Sequence, residues 1–152
     1  MSLYLIIDGY NVINKISYLV NAQSLSMESA RDKLFKAFQK YCDFSLVEGL
    51  IVYDGNQNAR TVEDGNPAVI FTKSNECADT IIESLIYNME NKQDARVVTD
   101  DRVITNLVTG MGAFTMSVNL FEQELEKIKV TAPHKTHFVL NRQKRWRNFL
   151  DL

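Results

Sequence analysis

Hydrophobic positions along the chain fall into two alternating kinds of pattern. Leu3 to Ile7 is a short continuous apolar run closed by Asp8-Gly9, the signature of a buried strand that stops at a turn. Similar runs occur at Leu50 to Tyr53 before Asp54-Gly55, at Ala68 to Phe71 before Thr72-Lys73, and at Ala95 to Thr99 before Asp100-Asp101, and a fifth is expected at Ala113 to Val118. Between them the period lengthens. Ala30, Leu34, Ala37, Phe38 and Tyr41 recur at steps of three and four, with Arg31, Lys33, Lys36 and Lys40 at the intervening positions. The same spacing links Ala78, Ile81, Ile82, Leu85, Ile86 and Met89, and later Phe121, Leu125 and Ile128; Val103 to Val108 predicts one further short helix before Gly110. Strands buried on both faces and alternating with amphipathic helices predict an α/β fold with a mainly parallel sheet covered on both sides.

Length and composition narrow this to one soluble domain. The 152 residues are 45% hydrophobic and 24% charged, with 6 Gly and 2 Pro, which excludes a disordered chain and leaves little room for linkers. No run approaches the roughly 18 apolar residues of a membrane span. The opening segment lacks a basic region before its apolar run, so a cytoplasmic location with reduced cysteines is expected. Cys42 and Cys77 read as small core residues. With His134 and His137 they form no familiar zinc spacing, so a metal here is expected to be hard and oxygen-bound.

Charge changes the picture more than composition does. The net value of -2 excludes binding of nucleic acid by bulk charge, but it joins unlike parts. Residues 1–133 carry 12 bases and 18 acids, whereas residues 134–152 carry 5 bases and 1 acid. The expected organisation is a domain over 1–133 and a basic, aromatic tail over 134–152, packed on that domain or extending it. Lys144, Arg145 and Arg147 in the tail read equally as a solvated helix face or as phosphate contacts. Trp146 reads either as a core anchor or as a platform for base stacking.

Candidate chemistry gathers where the strands end. In an open parallel sheet, ligands collect at the carboxyl edge, and Asp8, Asp54, Asp100 and Asp101 are all expected there. Asp79 lies near the start of the helix after the third strand, with Glu76 on nearly the same face. Singly, each acid is most simply a turn, cap or first-turn residue. Together they repel one another and call for a cation; Mg²⁺ or Mn²⁺, which favour carboxylate and water oxygens, would suit phosphodiester hydrolysis. Dinucleotide and P-loop glycine patterns are missing, both histidines lie in the tail, away from any serine or cysteine nucleophile, and Tyr10 stands where an aspartyl phosphatase would place a second Asp.

The ordered words Ile-Ile-Asp8-Gly9-Tyr10-Asn11, Val-Tyr-Asp54-Gly, Ile-Phe-Thr-Lys73-Ser-Asn-Glu76-Cys-Ala-Asp79, Val-Val-Thr99-Asp100-Asp101 and Gly110-Met-Gly112-Ala resemble the YacP-like branch of the NYN domains, which are PIN-like nucleases. The resemblance implies a three-layer α/β/α sandwich and a Mg²⁺- or Mn²⁺-dependent endoribonuclease, in a family that includes ribosome-associated enzymes acting on mRNA. It implies an acidic metal site of Asp8, Asp79 and Asp101, with Asn11 orienting water or a substrate phosphate. Asp100 is counted with the metal-binding set at its margin, and Asp54 and Glu76 in an outer shell. Lys73, Arg102, Arg145, Trp146 and Arg147 are expected to position RNA. Two other functions share these residues: an RNA- or ribosome-binding module with little or no nuclease activity, and a small-molecule phosphohydrolase.

Overall fold

A computed structural model of the chain describes residues 3–131 and 145–150. In chain order the elements are β1 (Tyr4–Asp8), α1 (Gly9–Ile13), α2 (Ser17–Gln23), α3 (Met27–Ser45), β2 (Glu48–Gln57), β3 (Thr61–Glu63), β4 (Ala68–Lys73), α4 (Ala78–Tyr87), a short 3₁₀ turn (Lys92–Asp94), β5 (Ala95–Val98), α5 (Arg102–Gly110), β6 (Phe114–Met116), α6 (Val118–Thr131) and α7 (Arg145–Phe149). The strands form one sheet in the order β3-β4-β2-β1-β5-β6, and every pairing is parallel except β3 with β4. No helix among the described residues is long and apolar enough to cross a membrane.

Alternation along the strands divides the core in two, because successive side chains leave a strand on opposite faces. Leu5 and Ile7 of β1, Ile51 and Tyr53 of β2, and Val69 of β4 meet α1, α2, α3 and α6 on one face. Tyr4, Ile6, Leu50, Val52, Ala68 and Ile70 meet α4, α5 and α7 on the other. This is the α/β/α sandwich expected from the sequence.

Three features differ from the sequence expectations. The β3 strand, three residues long, carries no readable period, and it pairs antiparallel to β4 as the outer edge of the sheet. Helix α2 was likewise not expected; Leu19 and Ala22 seat it in the first core. The pair Gly9 and Gly55, expected at turns, lie in regular structure: Gly9 opens α1 and Gly55 lies within β2. Both are needed for close approach instead. A Cβ on Gly9 would overlap the Tyr53 ring, and one on Gly55 would overlap the Thr72 carbonyl oxygen.

The tail packs as core where it is described. Trp146 is 3% exposed, sits in the second core cluster with Leu150, and meets Tyr4 edge-on at 5.4 Å between ring centroids. Arg147 donates to Asp64 Oδ1 at 2.8 Å and to the Val62 carbonyl at 3.3 Å. Tyr4 begins β1, and Asp64 follows the end of β3 that pairs with the start of β4. Helix α7 therefore lies at the amino edge of the sheet, opposite the strand ends that carry Asp8 and Asp54. A buried indole offers no face to a base, so the expected stacking role of Trp146 is replaced by packing, and Arg147 is committed to Asp64. The Arg145 side chain, and the tail residues 134–144 with both histidines, lie outside the described residues.

Candidate active site

Asp8 is the last residue of β1 and lies just before α1, yet its side chain caps no helical N–H. It turns instead toward β5, where Oδ2 accepts a hydrogen bond from the Thr99 hydroxyl at 3.0 Å. Thr99 is itself buried, and its Oγ1 accepts from the Asp101 N–H at 3.0 Å. One hydroxyl thus ties the end of β1 to the start of α5.

Three more carboxylates reach this edge by other routes. Asp54 on the extension of β2 accepts from the Ala78 N–H at 2.8 Å, so it caps α4, whose own N-cap residue Cys77 makes no side-chain cap. That bond brings the first turn of α4, with Asp79, to the end of β2. Asp101 caps α5, with Oδ1 accepting from Val103 N at 2.8 Å. Both caps use Oδ1, and among the described residues the Oδ2 of Asp54 and that of Asp101 make no hydrogen bond.

The electrostatic result is concentrated on Asp8. At 9% exposure it is the buried member of the set, and its pKa is raised from 3.8 to about 6. Burial is the largest cause; the Thr99 hydrogen bond opposes it, and the charges of Asp54, Asp101 and Asp79 add to it. A buried carboxyl surrounded by three others, with its only described side-chain donor a neutral hydroxyl, is a site short of positive charge.

Several expected site residues are placed differently. Asp100 is turned away: Oδ1 caps α6 by accepting from Val118 N at 3.0 Å, and Oδ2 lies 3.6 Å from Lys15 Nζ. It is not among the charges that raise the Asp8 pKa, whereas Asp54 is. Glu76 precedes α4 rather than sharing a face with Asp79, and it is neutralised by Arg60, whose Nε lies 2.8 Å from Oε1. That partner holds the Glu76 pKa down. Asn11 does reach the edge, but its Oδ1 accepts from the Asp100 N–H at 2.9 Å, holding the loop between β5 and α5; its amide N–H₂ is the part left for water or phosphate. Lys73 ends β4 at the same edge, and Arg102 opens α5 beside Asp101, exposed. Cys42 is buried, as expected, but Cys77 is exposed rather than in the core; both are free thiols.

Among the described residues no three His, Cys, Asp or Glu side chains form a group that could hold a metal ion between them. The donor chemistry still suits a magnesium-like cation, which keeps several waters and takes one or two protein carboxylates. Asp8 with one neighbouring carboxylate would supply that number of protein ligands; among the described residues a closed shell of three aspartates does not form.

Sequence reasoning passed over Thr99 and Arg31. Thr99 stands inside the word Val-Val-Thr-Asp-Asp, but a threonine at a strand end has no distinctive period. Arg31 read as a solvent-facing position of α3. It is half-buried, donates to the Tyr10 hydroxyl at 3.3 Å, and stands 5.5 Å from the centroid of the Phe71 ring.

A mainly parallel α/β/α sandwich with carboxylates clustered at the carboxyl edge of its central strands defines a PIN-like, nuclease-like domain. Residues 5–151 match the YacP-like NYN domain, and the chain belongs to that family. It is 31% identical over 134 residues to the uncharacterized protein YacP of Bacillus subtilis (strain 168), a match covering 82% of this chain and 76% of that one. The crystal structure of Rae1 (YacP) from Bacillus subtilis superposes with a TM-score of 0.74 at 30% identity, covering 87% of this chain and 78% of that one. A tryptophan-to-leucine mutant of the same protein gives 0.72 at 32% identity, with 86% and 78% covered.

Proposed function

We propose that this protein is a Mg²⁺- or Mn²⁺-dependent endoribonuclease that hydrolyses RNA phosphodiester bonds at the edge formed by Asp8, Asp54, Asp79 and Asp101. The observation that carries the proposal is the buried Asp8 carboxyl, with its pKa raised to about 6 by burial and by three neighbouring acids. Such an arrangement is costly alone and is relieved by a divalent cation. Membership of the YacP-like NYN family supports the reaction class. The family resemblance extends the proposal to mRNA as substrate, to action at the ribosome and to the cytoplasm.

A cation held there supplies an activated nucleophile at neutral pH and offsets charge developing on the phosphate. Asp8, oriented by Thr99, would be its principal anchor, with a neighbouring carboxylate beside it. The amide N–H₂ of Asn11 and the cations of Lys73 and Arg102 hold substrate phosphate oxygens near this edge.

The test is incubation of purified protein with single-stranded and structured RNA and Mg²⁺ or Mn²⁺, beside Asp8→Asn and Asp79→Asn. The expected result is metal-dependent cleavage that both variants lose. Cleavage undiminished in both variants refutes the site. Binding without cleavage in either metal supports instead an RNA-binding module, which the lack of a three-carboxylate group among the described residues would then explain. Hydrolysis confined to mononucleotides or phosphate monoesters would identify a phosphohydrolase.

A further inference from the structure

Two clefts on the β2–β4 side of the acidic edge share Arg31 and Phe71. The larger, of about 820 Å³, runs from Asp54 along Asn56, Gln57 and Asn58 to Tyr10 and Arg31. The smaller, of about 630 Å³, continues from Arg31 past Tyr53 toward the first turn of α3. In the larger cleft Asp54 and Arg31 are the charged residues, and the intervening strand end offers side-chain amides.

Arg31 is built into this position. Tyr10, Tyr53 and Phe71 form a column of rings, with centroids 4.8 Å apart for Tyr10 and Tyr53 and 5.2 Å apart for Tyr53 and Phe71. The guanidinium lies against the Phe71 ring, and one of its amino groups is fixed by the Tyr10 hydroxyl. Among the described residues no carboxylate pairs with it. A guanidinium has five N–H donors, so a half-buried one held by a neutral hydroxyl and a ring keeps most of them for an anion. Its planar fork matches a phosphate. The amides of Asn56, Gln57 and Asn58 can both donate and accept, as the edges of an unpaired base require.

We propose that Arg31 binds the phosphate of a nucleotide neighbouring the scissile bond of a single-stranded RNA, with Tyr10 and Phe71 as positioning residues for its guanidinium. This rests on the nuclease reading of the acidic edge. The cleft carries the strand from the catalytic carboxylates at Asp54 to a cationic anchor, which sets which side of the cut is held.

The test combines binding and turnover. Anisotropy of a short fluorescein-labelled oligouridylate is measured on Asp8→Asn protein with and without Arg31→Gln, across a salt series, and cleavage kinetics are measured on Arg31→Gln with Asp8 intact. Arg31→Gln is expected to weaken binding about tenfold and to lower the slope of log affinity against log salt by about 0.7, the loss of one phosphate contact on a single strand. KM rises with little change in kcat, Arg31→Lys restores part of the affinity, and Tyr10→Phe gives a smaller loss. Inorganic phosphate and uridine monophosphate should compete only weakly; strong competition by either identifies a small-anion site and overturns the RNA subsite. Unchanged affinity and salt slope in Arg31→Gln overturn it too, even where the protein cleaves RNA normally. If wild-type protein cleaves nothing but Arg31→Gln loses RNA binding, the nuclease reading fails and the RNA site stands. If no RNA binds at all, both fail.

Discussion

The Thr99 hydroxyl donates to Asp8 Oδ2 at 3.0 Å while accepting from the Asp101 N–H at 3.0 Å, so one buried side chain sets both the position and the charge of the central carboxyl. Its bond to Asp8 is what holds the pKa of that group down against burial. Thr99→Val is therefore expected to raise the Asp8 pKa further and to leave the Asp101 N–H without its acceptor, at a stability cost of about 1–3 kcal/mol. Thr99→Ser should retain most of both functions. A carboxyl ¹³C titration of Asp8 in the three proteins checks the order; an Asp8 pKa unmoved in Thr99→Val would rule out the bond as the controlling contact.

Asp8 also predicts how stability depends on pH. Its folded pKa, about 6, lies above the ordinary value of 3.8, so between those values the folded state binds more protons than the unfolded state. Stability then falls as pH rises through this window, and the difference corresponds to about 3 kcal/mol for this group. Asp8→Asn removes the ionisation. In EDTA the variant should melt higher than wild type at pH 7.5, by several degrees, and close to it at pH 4. Thermal unfolding at the two values is the measurement, and a variant less stable than wild type at pH 7.5 would contradict the assignment.

The different settings of Asp100 and Asp54 give a prediction specific to this structure. Asp54 and Asp100 both cap helices, α4 and α6 respectively, but only Asp54 contributes to the charge around Asp8. Replacing each by Asn preserves an acceptor for the cap and removes the charge. Asp54→Asn should weaken the rise in melting temperature produced by Mn²⁺, whereas Asp100→Asn should leave that rise intact. Equal losses in the two variants would return Asp100 to the site.

Much of this was legible in the chain because it is written locally. Apolar runs ended by Asp8, Asp54 and Asp100 marked three strands and the edge at which their acids lie, and the period of α3, α4 and α6 marked the covering layers. What escaped depends on contacts distant in sequence. Asp54 is oriented by a helix 24 residues away, and Asp100 by the N–H of Val118; no local pattern distinguishes one from the other. Arg31 occupies a polar position of an amphipathic helix, and only the approach of α3 to Tyr10 and Phe71 makes it an inward-facing cation. The β3 strand and α7 are too short for a period to be read, so the antiparallel edge and the fate of Trp146 required the structure.

Trp146 is the one tryptophan in the chain, which makes its burial directly measurable. At 3% exposure, among Tyr4, Phe149 and Leu150, it should emit at short wavelength, resist acrylamide quenching, and change little when RNA binds. A stacking platform would behave oppositely in all three respects. Trp146→Ala removes the largest side chain joining α7 to the sheet and should cost about 3–5 kcal/mol, or about 10 °C in melting temperature, with Trp146→Phe milder. RNA affinity measured well below the melting point of each variant should match wild type, because Trp146 lies at the amino edge of the sheet and the carboxylates at the other. Quenching of Trp146 by RNA, with affinity lost in a still-folded Trp146→Phe protein, would move the tail to the substrate side.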